Sequence, residues 1–141
     1  MLDKNHIISN MNSFIKLKNL DDTIKTRKQM NTTLGSSKQI DTIGYNKDGA
    51  AIIVSDIISP ATSKIDEMYA KSLFTLNNLV DTTIQKKIFY IPTMDVIEKE
   101  RLEQIKHIKA HIRGEGLFVN DSADPKEFVE SIAQELQTLT A

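Results

Sequence analysis

Apolar residues in the first twenty positions recur at three- and four-residue intervals. Ile7, Ile8, Met11, Phe14, Ile15 and Leu17 would share one face of a helix between His6 and Leu20. A second helical stretch is expected from about Asp21 to Met30, ended by the turn-forming composition of NTTLGSS, Asn31 to Ser37. The pattern then changes. IDTIGY and AAIIVSDII, within Gln39 to Ser59, are rich in β-branched residues and flank NKDG, whose Asp48-Gly49 pair supplies the positive φ of a tight turn. The second arm hardly alternates through Ala51, Ile52, Ile53 and Val54, as a central strand covered on both faces does.

Pro60 closes that strand, and Thr62 or Ser63 can cap a helix to about Asp81 with Ile65, Met68, Tyr69, Leu73, Leu76 and Val80 as its stripe. KKIFYIP, Lys86 to Pro92, reads as the next strand. Asp95 then opens a charged helix to about Arg113, which buries Leu102, Ile105, Ile108 and Ile112 and stops at Gly114. GLFVN, Gly116 to Asn120, is a further strand, and Asp124, Pro125 and Glu127 start the last helix. The expected fold is therefore α/β: a mixed sheet built from an N-terminal helix, a β-hairpin and two strand-helix units, in the order α-ββ-α-β-α-β-α. One domain spanning residues 1–141 accounts for the chain, with a basic helical segment at 1–38 and an α/β core at 39–141.

Composition narrows the possibilities. The 141 residues are 40% hydrophobic and 26% charged, close to the globular average, and there is no cysteine, which removes disulfides, zinc ribbons and thiol nucleophiles. The longest apolar run, Ala50 to Val54, is far shorter than the roughly 20 residues of a membrane-spanning helix. MLDKNHIISNMN lacks the apolar stretch of an export signal, so a soluble, cytoplasmic protein without a membrane partner is expected. Net charge is −1, but residues 1–40 carry seven Lys or Arg against three Asp, a net +4 that leaves −5 for the rest. Lys16, Lys18, Lys25, Arg27 and Lys28 are the candidate contacts to the phosphates of a nucleic acid, although a solvated helical face explains the same residues.

Candidate chemistry is sparse. Glu103, His107 and His111 would line one helical face, but opposite the apolar stripe, and no HExxH motif or cysteine completes a zinc site. The glycines match no phosphate-binding loop, and no GxSxG elbow is present. Asp41 begins the hairpin and Asp56 ends its second arm, so both carboxylates could meet at one end of the sheet and bind Mg²⁺ or Mn²⁺.

Laid along the chain from Ile40 to Asp121, the hairpin IDTIGYNKDGAAIIVSDI, the helix after it, KKIFYIPT, the next helix and GEGLFVND resemble the core of the restriction-endonuclease-like, or PD-(D/E)XK, superfamily. That superfamily includes archaeal Holliday-junction resolvases. In it an Asp on the first arm and a (D/E)xK on the second hold the metal and position the attacking water. The resemblance implies that Asp41 stands for the family Asp. The second motif is broken: one register puts Ser55 and Ile57 at the acid and lysine positions, and the next recovers Asp56 but puts Ile58 at the lysine. Lys71, or Lys64, could replace that cation from the following helix.

Three functions are compatible with these residues. The first is a nucleic-acid-binding or accessory domain with a degraded nuclease site. The second is an active metal-dependent nuclease using Asp41, Asp56 and Lys71. The third is a protein-interaction subunit or homodimer anchored by Phe74, which falls opposite the apolar stripe of its helix.

Overall fold

A computed structural model describes residues 3–95 and 97–140. Met1 and Leu2, part of the stretch read above for an export signal, lie outside the described residues. No helix among those described is long and apolar enough to cross a membrane.

Asp3 caps the first helix, α1 (Lys4–Leu17), its carboxylate accepting from the His6 N–H at 2.9 Å. The helix buries Ile7, Ile8, Met11, Phe14 and Ile15, while Leu17, expected on the same stripe, is exposed in the last turn. It ends where Asn19 takes a left-handed backbone (φ 55°) and the Leu20 N–H returns to the Ile15 carbonyl at 2.9 Å.

The helix expected from Asp21 to Met30 does not form. Its place is taken by an edge strand, β1 (Ile24–Asn31), paired antiparallel with β2 (Ser37–Tyr45) from Ile24↔Gly44 to Asn31↔Ser37. Lys, Arg and Gln favour helix by propensity, yet the segment has no apolar stripe at helical spacing to bury. Pairing with β2 satisfies its backbone instead.

The hairpin expected between Gln39 and Ser59 is β2 and β3 (Ala51–Ile57). At its turn only Gly49 is left-handed (φ 81°), and the Asn46 side chain accepts from the N–H groups of Asp48 and Ala50, both at 2.9 Å. All seven residues of β3 are buried. β4 (Lys86–Tyr90) and β5 (Phe118–Asn120) complete a five-stranded sheet in the order β1-β2-β3-β4-β5, with the first three strands antiparallel and the last three parallel.

Helices cover both faces, so the α/β fold expected from the sequence holds with one added strand. On one face α1 and α4 (Pro125–Thr140) pack over Ile24, Ile53 and Ile57. On the other, α2 (Ile65–Asn77) and α3 (Lys99–Gly114) pack over Ile43, Val54 and Phe89. Asp124 opens α4 as expected, accepting from the Lys126 N–H at 2.9 Å.

Both ends of α2 and both ends of α3 differ from expectation. α2 starts without a side-chain cap at Lys64 and stops at Asn77, because the chain turns back to bond the end of β1: Thr33 N–H donates to the Asn78 carbonyl at 2.7 Å and Val80 N–H to the Asn31 carbonyl at 3.0 Å. Val80 is exposed as a result. α3 begins after Glu98 rather than at Asp95, and Leu102 is exposed on its first turns. Its left-handed stop is Gly116 (φ 76°) rather than Gly114, with the Leu117 N–H bonded to the Ile112 carbonyl at 3.1 Å.

Candidate acidic fork and basic groove

The ladder between β2 and β3 ends at the pair Thr42↔Ser55. Beyond it the two strands part, and the carboxylates of Asp41 and Asp56 fill the fork, each bonding the backbone of the opposite strand. Asp41 N–H donates to Asp56 Oδ1 at 3.1 Å, and Ile57 N–H donates to Asp41 Oδ2 at 2.8 Å. Two side chains thus supply the acceptors that backbone carbonyls provide elsewhere in the sheet. Ser72 on α2 donates to Asp56 Oδ2 at 2.6 Å, and the Lys4 ammonium lies 2.9 Å from Asp41 Oδ2.

Both acids are buried, and this sets their electrostatics. Burial, and then the charge of Asp41, push the Asp56 carboxyl up to about 6 from 3.8, against the opposing bonds from Ser72 and the Asp41 N–H and the charge of Lys4. Three of the four carboxylate oxygens already receive an internal donor, and one of these donors is a cation. A divalent ion needs several free oxygens, so this donor set does not fit Mg²⁺ or Mn²⁺.

Nor does the fork hold the rest of a nuclease motif. Ser55 is buried on the opposite face of β3, where its hydroxyl and that of its partner Thr42 have no hydrogen-bond partner among the described residues. Ile57 and Ile58, at the two lysine registers, are wholly buried in the two cores. Lys71 is exposed on α2 beside Ser72, with no hydrogen bond or ion pair to either acid among the described residues. The structure brings Asp41 and Asp56 together and leaves Lys71 outside. Sequence reasoning missed Lys4 and Ser72, because neither lies near the acids in the chain or forms a local pattern with them.

The basic residues gather elsewhere. A groove of about 680 Å³ runs between α1 and β1, and Lys16, Lys25, Arg27 and Lys28 line it. Lys18 lies outside it, 5.8 Å from the centre of the Phe14 ring. Asn5, Ser9, Asn12 and Ser13 line the groove from α1. Two side-chain bonds tie the walls together: Arg27 Nη2 donates to Asn5 Oδ1, and Thr26 Oγ1 donates to Asn12 Oδ1 at 2.8 Å. Arg27 is left-handed (φ 54°), an unusual backbone for a side-chain-bearing residue on a strand. Lys25 Nζ donates to the Asp21 carbonyl at 2.7 Å, whereas Lys16 and Lys28 have no bonded partner among the described residues.

The row Glu103, His107 and His111 binds nothing in common. Glu103 meets Lys106, and Tyr69 OH and His111 Nδ1 are 2.6 Å apart across α2 and α3. No three His, Asp or Glu side chains among the described residues are grouped to hold a metal ion. The chain matches no protein-family model and no curated protein.

Proposed function

We propose that this protein is a nucleic-acid-binding or accessory domain that grips phosphates in the groove between α1 and β1 and does not cleave them. The observation that carries this reading is the gathering of four of the five candidate cations on one groove in an otherwise acidic chain. A helix and an edge strand that are separate in sequence bring these residues to the lining of one groove. Phosphate neutralisation by such a cluster supplies salt-dependent affinity without sequence preference.

The nuclease-like layout supports the same reading. Helix, antiparallel hairpin, helix and parallel strand follow one another as in the superfamily the sequence resembles. The acid pair that would be its catalytic centre is closed by Lys4, Ser72 and two backbone amides. The alternative of an active nuclease needs a metal where the Lys4 ammonium stands.

A titration of labelled nucleic acid at two salt concentrations, with and without Mn²⁺, tests the proposal. It predicts binding that weakens with salt and a probe that stays intact in Mn²⁺. Metal-dependent cutting abolished by Asp56→Asn would replace this reading with the active nuclease.

One observation favours a protein partner as a second reading. Phe74 is 58% exposed and Leu34 is 64% exposed, and the Thr33–Asn78 bond holds the loop carrying Leu34 against the end of α2. Concentration-dependent self-association lost in Phe74→Ser would support it.

A further inference from the structure

The groove's two walls differ in chemistry, and that difference bears on which nucleic acid would fit. The β1 wall carries Lys25, Arg27 and Lys28, with Asp21 just before it; the α1 wall carries the amides and hydroxyls of Asn5, Ser9, Asn12 and Ser13 and ends in a single cation, Lys16. Asn5 and Asn12 each use Oδ1 to hold β1, and the amide N–H₂ group of each has no acceptor among the described residues. Ser9 is exposed on the same wall. One wall thus suits phosphates, while the other offers donors for sugar hydroxyls and the edges of bases.

We infer that the groove takes a single strand of nucleic acid, its phosphates along β1 and its sugars and bases against α1. This rests on the nucleic-acid reading above and adds the substrate class. A single strand can turn its phosphates to one side and its unpaired bases to the other, as the walls require. A duplex carries phosphates on the outside of a rod with its bases already paired, so it would meet the cations and leave the α1 donors without acceptors. From Asn5 to Lys16 the α1 wall is about 16 Å long at 1.5 Å per residue. That length spans roughly five phosphates at a stacked spacing of about 3.4 Å.

None of the residues lining the groove is aromatic. Stacking therefore contributes little, and homopolymers of different bases should bind within a few-fold of one another. Four phosphate contacts to a single strand correspond to a slope of log affinity against log salt of about −3.

The test is fluorescence anisotropy with a short labelled DNA strand, its RNA counterpart and the matching DNA duplex, using the full chain, Ser9→Glu and the triple variant Lys25→Gln, Arg27→Gln, Lys28→Gln. Ser9→Glu places a negative charge in the α1 wall at an exposed helical position, so the fold should be unaffected. The expected result is single-strand binding at least about tenfold tighter than duplex binding, reduced about tenfold or more in both variants. If the duplex binds as tightly as the single strand and the triple variant weakens it, the inference falls and the proposed function stands. A single-strand preference that neither variant reduces also overturns the inference, because the strand then lies elsewhere. Absence of salt-dependent binding to all three probes removes the proposed function, and the inference with it.

Discussion

Asp56 is buried against a second carboxylate in a fork where, among the described residues, the Lys4 ammonium opposes them. Its native pKa lies above its unfolded value, so between about pH 4 and pH 6 the folded state binds more protons than the unfolded chain. This contribution to stability is full below the unfolded value and is lost as pH rises through about 6. Asp56→Asn keeps an acceptor for the Asp41 N–H and removes the charge. Its thermal stability relative to the wild type should therefore improve from about pH 4 to pH 6 and level off above that, and a difference that does not change with pH would refute the assignment. Lys4→Met should cost about 1–2 kcal/mol at pH 7, discounted because the Lys4 side chain is partly exposed, and a melting temperature unchanged by the substitution would show that the ion pair with Asp41 contributes nothing. The meeting of Asp41 and Asp56 was legible in the sequence, since both flank one hairpin. The closure of the site was not, because Lys4 and Ser72 reach the acids only through tertiary packing.

Among the elements, the hairpin was the most legible, because Gly49 between two β-rich arms admits few alternatives. Gly49→Val should destabilise the fold by about 1 kcal/mol or more, since a β-branched side chain resists the φ of 81° while no neighbouring atom crowds the position. An unchanged melting temperature would show that the turn tolerates the strain. Pro125 and Asp124 marked the start of α4 for the same reason: local chemistry decides such boundaries. β1 was misread because its residues are helix formers and its strand character comes from the partner strand. The groove followed from that error. With Asp21 to Met30 read as helix, the basic residues formed a solvated stripe; as a strand beside α1, the same residues become the wall of a cleft. The polar residues opposite were detectable, since Asn5, Ser9, Asn12 and Ser13 recur at helical spacing beside the apolar stripe of α1.

At the scale of the whole molecule, the order of elements and the mixed sheet could be read from alternating strand and helix patterns, and β3 with its unbroken apolar run correctly implied helices on both faces. Function was less legible, because it depends on which side chains meet across layers. The acidic fork is an internal strut, and under the proposed function contact with nucleic acid falls to the basic groove between α1 and β1. The wild type should accordingly leave its probe uncut in Mn²⁺ while binding it in a salt-dependent manner. The most direct measurement is the slope of log affinity against log salt for the wild type and for the triple variant Lys25→Gln, Arg27→Gln, Lys28→Gln. Each lost phosphate contact should flatten the slope by about 0.7 to 0.9, so the variant should lose about 2 or more while its melting temperature stays nearly unchanged. A variant that binds with the wild-type affinity and slope would contradict the account.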